Sequence, residues 1–197
     1  MNKISGLLIS LCLAGIGSIA IAAGLGDNTA KNLADDSIYH IDSNWLDQER
    51  NTINIAALQG KLQVIAFVYT YCEHSCPFIL ANLKKIARGL PQNATKALQF
   101  TLISLDPARD TPEVLKKYME EHDLYAPTWQ MLSGDEDDVL ELAALIGVRY
   151  KPMDNQARDI SHSNMITLLD KQGRIVYQLK GLNQDFDGML ELIALEP

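Results

Sequence analysis

The sequence predicts an α/β fold built as one domain. Apolar segments of the β type alternate with helical patterns in the middle of the chain, and a hairpin pattern and a last helix follow them. Roughly 170 residues follow an uncharged N-terminal stretch, which is enough for one domain with a substantial core. The formal net charge of −8 argues against a nucleic-acid partner, because phosphate backbones attract basic surfaces.

The N-terminal stretch has the features of an export signal. Lys3 supplies a positive charge, and the strongly apolar residues 4–26 that follow contain no charged side chain. The segment Ala20–Ala22 offers a cleavage site, but the stretch is also long enough to remain as a membrane anchor. Both outcomes remain open from the sequence.

These features predict the domain organisation and the location. We expect a signal peptide or membrane anchor at 1–26, a polar tether at 27–36 and the folded domain at 37–197. The expected location is the bacterial periplasm, with attachment to the inner membrane if the signal is not cleaved.

The folded part is predicted to begin with a β-hairpin. The strand candidates Ser37–Ile41 and Asn51–Ile55 flank the turn-rich segment Asp47–Arg50. Lys61–Thr70 is rich in β-branched and aromatic residues and predicts a buried strand. Pro77–Leu90 then carries apolar residues at helical spacing.

The remaining elements follow from the same two patterns. We predict strands at Leu98–Leu105, Trp129–Leu132, Ile166–Asp170 and Arg174–Leu179, and helices at Thr111–His122, Glu136–Leu145 and Phe186–Ile193. This order, β-α-β-α-β-β-α with additions, is typical of a thioredoxin-like fold with an N-terminal β-hairpin extension. Ligands of such sheets gather at the carboxyl ends of the strands, and the turn after Thr70 is one of these ends.

Two cysteines, Cys72 and Cys76, occupy that turn in the run YTYCEHSCP. If the turn is helical, their spacing places both sulfurs on one face, where they can share a metal ion or form a disulfide. A helix N-terminus also favours thiolate over thiol. A purely structural disulfide is the simplest alternative, although closing so short a loop stabilises a fold only weakly.

Thiolates suit Cu(I) and zinc, and imidazole suits copper and zinc, so the histidines are candidate further ligands. His74 is expected to point away from the cysteine face, because two residues turn a helix by about 200°. His122 ends a predicted helix and His40 lies in the first hairpin, so both have structural explanations. His162 stands in a polar loop before a strand, and in thioredoxin-like folds this loop approaches the cysteine turn.

The segment SLDPARDTPEVLKKY, which starts at Ser104, follows the second buried strand. Its pattern predicts a helix start in which Asp110 or Thr111 is the N-cap and Glu113 completes a capping box. Asp106 and Arg109 are not needed for that cap. They are expected to hold the loop by an ion pair or to modulate thiolate stability beside the cysteines.

Taken together, YTYCEHSCP, SLDPARDTPEVLKKY and a histidine before a later strand resemble the Sco/SenC family of copper-binding, thioredoxin-like proteins. The resemblance implies one copper, as Cu(I) or Cu(II), bound by Cys72, Cys76 and His162. The family often has an aspartate immediately before the histidine. Here that residue is Ser161, and Asp159 lies three positions ahead of His162 as a candidate support.

The resemblance also implies a role and partners. We expect a copper metallochaperone or assembly factor, rather than an enzyme, that supports maturation of the dinuclear copper centre of cytochrome c oxidase. The expected partners are the copper-accepting subunit of that oxidase, other periplasmic copper chaperones and thiol reductants. The alternative is a metal-independent thiol–disulfide oxidoreductase that uses Cys72 and Cys76. Such an enzyme would not need His162, and it normally carries a cis-proline near that loop, where this chain has none.

Overall fold

The structure is a computed structural model that describes residues 33–90, 96–152, 159–182 and 184–195. The strands in these ranges are β1 (Asn44–Asp47), β2 (Thr52–Asn54), β3 (Leu62–Val68), β4 (Leu98–Ser104), β5 (Trp129–Ser133), β6 (Tyr150–Pro152), β7 (Ile160–His162), β8 (Met165–Leu169) and β9 (Ile175–Lys180). The helices are α1 (Cys76–Gly89), α2 (Pro112–Glu121), α3 (Glu136–Ile146) and α4 (Asp187–Leu195). These elements confirm the predicted α/β class.

The predicted signal or anchor at 1–26 and residues 27–32 of the predicted tether lie outside the described residues. Within the described ranges, no helix has both the length and the apolar character that a membrane crossing requires.

Seven strands form one sheet in the order β2-β1-β5-β4-β3-β8-β9. Strand β3 lies parallel to β4 and antiparallel to β8, and β4 lies parallel to β5. All seven residues of β3 are buried, as expected for a strand that is covered on both faces. The carboxyl ends of β3 and β4 therefore share one edge of the sheet with the amino end of β8.

The core lies on the two faces of this sheet. Helix α1 buries the apolar residues that its sequence spacing predicts, namely Ile79, Leu80, Leu83 and Ile86. The rings of Phe100 on β4 and Trp129 on β5 stack with their centroids 4.3 Å apart. The packing fixes the sheet, and with it the positions of the loops at its edge.

The N-terminal hairpin is present, but the prediction placed its first strand wrongly. Residues Ile38–His40 form a 3-10 helix, because the Ser37 hydroxyl accepts the N–H of Tyr39 and the chain turns. The first hairpin strand is β1, which pairs with β2. The Asp47 carboxylate accepts the N–H groups of Glu49 and Asn51 and so stabilises the reversal between the two strands.

The predicted polar loop before β8 also contains structure that the sequence did not reveal. Strands β6 and β7 pair antiparallel as a separate small sheet, with Tyr150 opposite His162. Each strand has only three residues, which is too short for a periodic pattern to be visible. His162 therefore ends a paired strand instead of lying in an open loop.

The sequence correctly predicts the hairpin of β8 and β9. Asp170 stabilises the turn between its two strands. Its carboxylate accepts the N–H groups of Gln172 and Arg174 and the Nε–H of Arg174, the last at 2.7 Å. Burial raises the pKa of Asp170, but the hydrogen bonds and charge of its partners lower it by more, so the pKa lies below its ordinary value.

We predict that Asp170→Asn lowers the free energy of unfolding by about 1 kcal/mol at neutral pH, because charge-assisted hydrogen bonds are replaced by weaker ones. The folded pKa is depressed, so the stabilisation is present above the unfolded pKa of about 3.9 and is lost as the pH falls through the folded pKa. Urea unfolding at several pH values should show the two proteins converging in acid. A stability difference that does not change with pH would contradict this role.

Candidate metal centre

The two cysteines lie at the junction between β3 and α1. Cys76 is the first residue of α1 and is fully buried, and Cys72 lies in the preceding turn with an exposed fraction of 8%. Both are free thiols. The condition for placing both sulfurs on one helical face is not met, because the helix begins only at Cys76. Instead Cys72 lies in front of the helix, and the N–H of Cys76 donates to its sulfur at 3.3 Å.

The surroundings shift the pKa values of the two thiols in opposite directions. The hydrogen bond from the Cys76 thiol lowers the pKa of Cys72 well below its ordinary range, against burial, and the backbone N–H groups of Cys76 and His74 lower it further. The same hydrogen bond and burial raise the pKa of Cys76. Of the two sulfurs, Cys72 is therefore the one whose thiolate form the surroundings favour.

His162 reaches this pair from the end of β7. Its Nε2 lies 3.7 Å from Cys76 Sγ and 3.3 Å from Ser75 Oγ. Its Nδ1 lies 3.3 Å from the carbonyl oxygen of Ser163, which can only accept a hydrogen bond. A neutral imidazole therefore carries its proton on Nδ1 and turns the lone pair of Nε2 towards the thiols.

The three side chains form a cluster suited to one metal ion. Ligand atoms of Cys72, Cys76 and His162 all lie within 4.8 Å of one another, and among the described residues only these three form such a group. Sulfur and imidazole ligands lie about 2.0–2.3 Å from a first-row ion such as zinc, so one ion can contact all three after small movements. A cavity of about 330 Å³, which Cys72 and His162 line, gives access from one side.

The other predicted residues lie around this cluster. Asp106 and Arg109 form an ion pair within the loop after β4, as one of the two predicted roles requires. Asp159 lines the cavity, but the Nδ1 of His162 pairs with the carbonyl of Ser163 instead. His74 is exposed, lines the cavity and contributes its backbone N–H to Cys72. It is outside the ligand cluster, although the helical geometry used to predict this does not apply before Cys76.

The two remaining histidines are engaged elsewhere. The ring of His122 packs on Tyr118 with the centroids 4.3 Å apart, and His40 Nε2 lies 2.9 Å from the carbonyl oxygen of Ala34. Neither belongs to the cluster.

Asp110 is a residue whose role the sequence did not reveal. Of the two predicted N-cap residues, Thr111 is confirmed, but the capping box is wrong, because Asp110 is fully buried and no side chain caps α2. The Asp110 carboxylate accepts the N–H and the hydroxyl of Thr70 and the hydroxyl of Ser104. Burial raises its pKa, and these hydrogen bonds oppose the rise. Asp110 thus ties the start of the cysteine turn to the end of β4.

Known proteins of one family are similar to this chain. A family model described as SCO1/SenC matches residues 35–194. An SCO2-like protein of Rickettsia typhi is 32% identical over 135 residues, which cover 66% of this chain and 64% of that protein. The chain therefore spans just under two thirds of the length of this curated relative.

Two solved structures of copper-bound proteins are similar to this one. The Bradyrhizobium japonicum ScoI structure with copper bound has a TM-score of 0.65 and 26% identity, and the match covers 78% of this chain and 96% of that one. The yeast Sco1 structure with copper bound has a TM-score of 0.64 and 28% identity, with coverages of 78% and 85%. These similarities confirm the thioredoxin-like α/β fold that the order of elements predicts.

We predict that Asp110→Ala lowers the free energy of unfolding of the reduced protein by about 2–3 kcal/mol, because the half-buried hydroxyl of Thr70 and the buried hydroxyl of Ser104 lose their acceptor. Glu113→Ala, which removes an exposed carboxylate in the first turn of α2, is the matched control and should have a much smaller effect. Urea unfolding measures both variants. Equal effects of the two substitutions would show that Asp110 does not hold the turn.

Proposed function

The chain belongs to the SCO1/SenC family, and we propose that it binds one copper ion as cargo through Cys72, Cys76 and His162. We propose further that it supports maturation of the dinuclear copper centre of cytochrome c oxidase. Copper-binding proteins of this family are linked to the assembly of that oxidase. The observation that carries the proposal is the convergence of two sulfurs and one imidazole nitrogen within 4.8 Å.

The donor set fits copper. Soft thiolates suit Cu(I), and an imidazole nitrogen helps to accommodate Cu(II) as well. The carbonyl of Ser163 holds the ring of His162 in the tautomer whose Nε2 is free to bind, which is the usual role of a partner behind a metal-bound histidine. Copper-bound structures of the related ScoI and Sco1 proteins support the same assignment.

Each residue has a distinct task in loading and release. Cys72 is the thiolate that can meet an incoming ion first, and Cys76 must give up its proton before its sulfur can bind. His162 adds a third donor from another part of the chain. Three donors and an open cavity leave one side of the ion accessible to the ligands of an acceptor.

Oxidation provides a means of control, because the same two sulfurs that bind copper can form a disulfide instead. A disulfide sulfur is no longer a thiolate ligand, so the oxidised pair excludes the ion until a reductant restores it. The third cysteine of the sequence, Cys12, belongs to the predicted signal or anchor. The reductant in this scheme is a separate molecule.

We also propose the location and partners that the sequence predicts. The protein would act in the bacterial periplasm, either free after signal cleavage or held at the inner membrane. Its partners would be the copper-accepting subunit of cytochrome c oxidase, other periplasmic copper chaperones and thiol reductants. The uncharged N-terminal stretch and the polar segment behind it support this location.

A metal-independent thiol–disulfide oxidoreductase is the second candidate, and the lowered pKa of Cys72 favours it, because thiolates are the nucleophiles of disulfide exchange. The two functions differ in their need for His162. Reduction of a disulfide substrate by the metal-free protein, at a rate that His162→Ala leaves unchanged, would favour this enzyme if copper binding is absent.

We predict that the reduced protein binds one copper ion and that His162→Ala weakens Cu(II) binding more than Cu(I) binding, because two thiolates suffice for Cu(I). Spectroscopic titration in the presence of a competing chelator measures both affinities. His40→Ala, which removes a histidine outside the cluster, should bind copper like the unmodified protein.

The cysteine variants decide whether the ion is bound at this site. Cys72→Ser and Cys76→Ser should each reduce copper affinity by at least about 100-fold, since a soft ligand is replaced by a neutral hydroxyl. Copper binding that both substitutions leave unchanged would refute the assignment of the metal centre.

A further inference from the structure

Ser75 stands directly before α1, where a serine normally caps the helix. A capping serine has extended backbone angles, and its oxygen accepts a hydrogen bond from the first turn, which stabilises the helix by about 1 kcal/mol. Ser75 instead has φ −91° and ψ −34°, and its side chain makes no cap hydrogen bond. The Ser75 hydroxyl therefore does not cap α1.

The hydroxyl points into the metal centre. Ser75 Oγ lies 3.3 Å from Nε2 of His162 and 3.7 Å from Sγ of Cys72. A serine hydroxyl has one proton to donate. The carbonyl of Ser163 accepts the imidazole proton on Nδ1, which leaves Nε2 able to accept the hydroxyl proton of Ser75.

From this arrangement we infer that Ser75 is a positioning residue whose hydroxyl changes its hydrogen-bond acceptor when copper is bound. In the metal-free protein it donates to Nε2 of His162 and holds the ring beside the thiols. Once the lone pair of Nε2 is used by the ion, the hydroxyl rotates and donates to the sulfur of Cys72. Ser75 itself exchanges one hydrogen bond for another and forms no bond to the ion. The inference rests on the proposed copper-binding function.

The second position of the hydroxyl has a consequence for the valence of the ion. A hydrogen bond to a thiolate sulfur withdraws electron density from it, and hydrogen bonding around a cysteine ligand is known to tune copper potentials. Cu(II) depends on donation from sulfur more than Cu(I) does. Ser75 therefore favours Cu(I) and raises the Cu(II)/Cu(I) reduction potential of the loaded protein.

The test compares Ser75→Ala with Ser75→Thr in the full-length protein. The alanine variant removes the hydroxyl, and the threonine variant keeps it. Thr111→Ala is the matched control, because Thr111 precedes α2, also makes no side-chain cap bond and donates instead to the exposed Glu113. Since Ser75 caps nothing, Ser75→Ala should fold with nearly unchanged stability.

Two measurements use protein loaded with one copper ion. We expect Ser75→Ala to shift the sulfur-to-Cu(II) charge-transfer band to longer wavelength and to lower the midpoint potential, with 1:1 binding retained. Ser75→Thr should restore both values, and Thr111→Ala should leave both unchanged. A band and potential that do not move in Ser75→Ala would overturn the inference, and loss of 1:1 binding would show that the oxygen is itself a ligand and would overturn it too.

A third measurement needs no metal. In the reduced, metal-free protein the ¹⁵N resonance of His162 Nε2 should move towards the value of a nitrogen without a hydrogen bond in Ser75→Ala and return in Ser75→Thr. An unchanged resonance would refute the first position of the hydroxyl. If the unmodified protein binds no copper, the proposed function fails. If it binds copper normally but the Ser75 variants change neither the band, the potential nor the resonance, only this inference is overturned.

Discussion

The metal centre depends on the antiparallel pairing of β3 with β8. His162 follows Cys76 by 86 residues, yet their ligand atoms lie 3.7 Å apart. This contact exists because β3 pairs antiparallel with β8 in a register that sets Ala66 opposite Ile166. The turn that leaves β3 and the segment that enters β8 therefore meet at one edge of the sheet. A shift of register by one residue would turn the side chains of β8 to the other face and would separate the ligands.

Polar side chains then fix the shape of this edge. The Asp110 carboxylate is buried at a cost in solvation, and its hydrogen bonds to Thr70 and Ser104 offset that cost while they hold the turn before Cys72. Ser75 gives up a helix cap and directs its hydroxyl to the ligands. In both cases a group that could stabilise a helix start serves the geometry of the centre instead, which is a common compromise at functional sites.

Much of this could be predicted from the sequence, because hydrophobic periodicity marks long elements such as β3 and α1 and because cysteine and histidine are the side chains that bind soft metals. The sequence did not predict the structural settings of Asp110 and His162, because neither depends on hydrophobic periodicity. Asp110 precedes a threonine and a proline at a helix start, where local preference favours a cap, and only tertiary packing buries it. The three-residue strand that carries His162 is too short to leave a periodic signal.

The central claim is that one copper ion is held by two sulfurs and one imidazole nitrogen that the fold brings together. X-ray absorption spectroscopy of the reduced protein loaded with one equivalent of Cu(I) tests it most directly. The account predicts a first coordination shell of two sulfur atoms and one nitrogen, which falls to one sulfur in Cys76→Ser. A shell that contains only nitrogen and oxygen, or one that the substitution leaves unchanged, would contradict it.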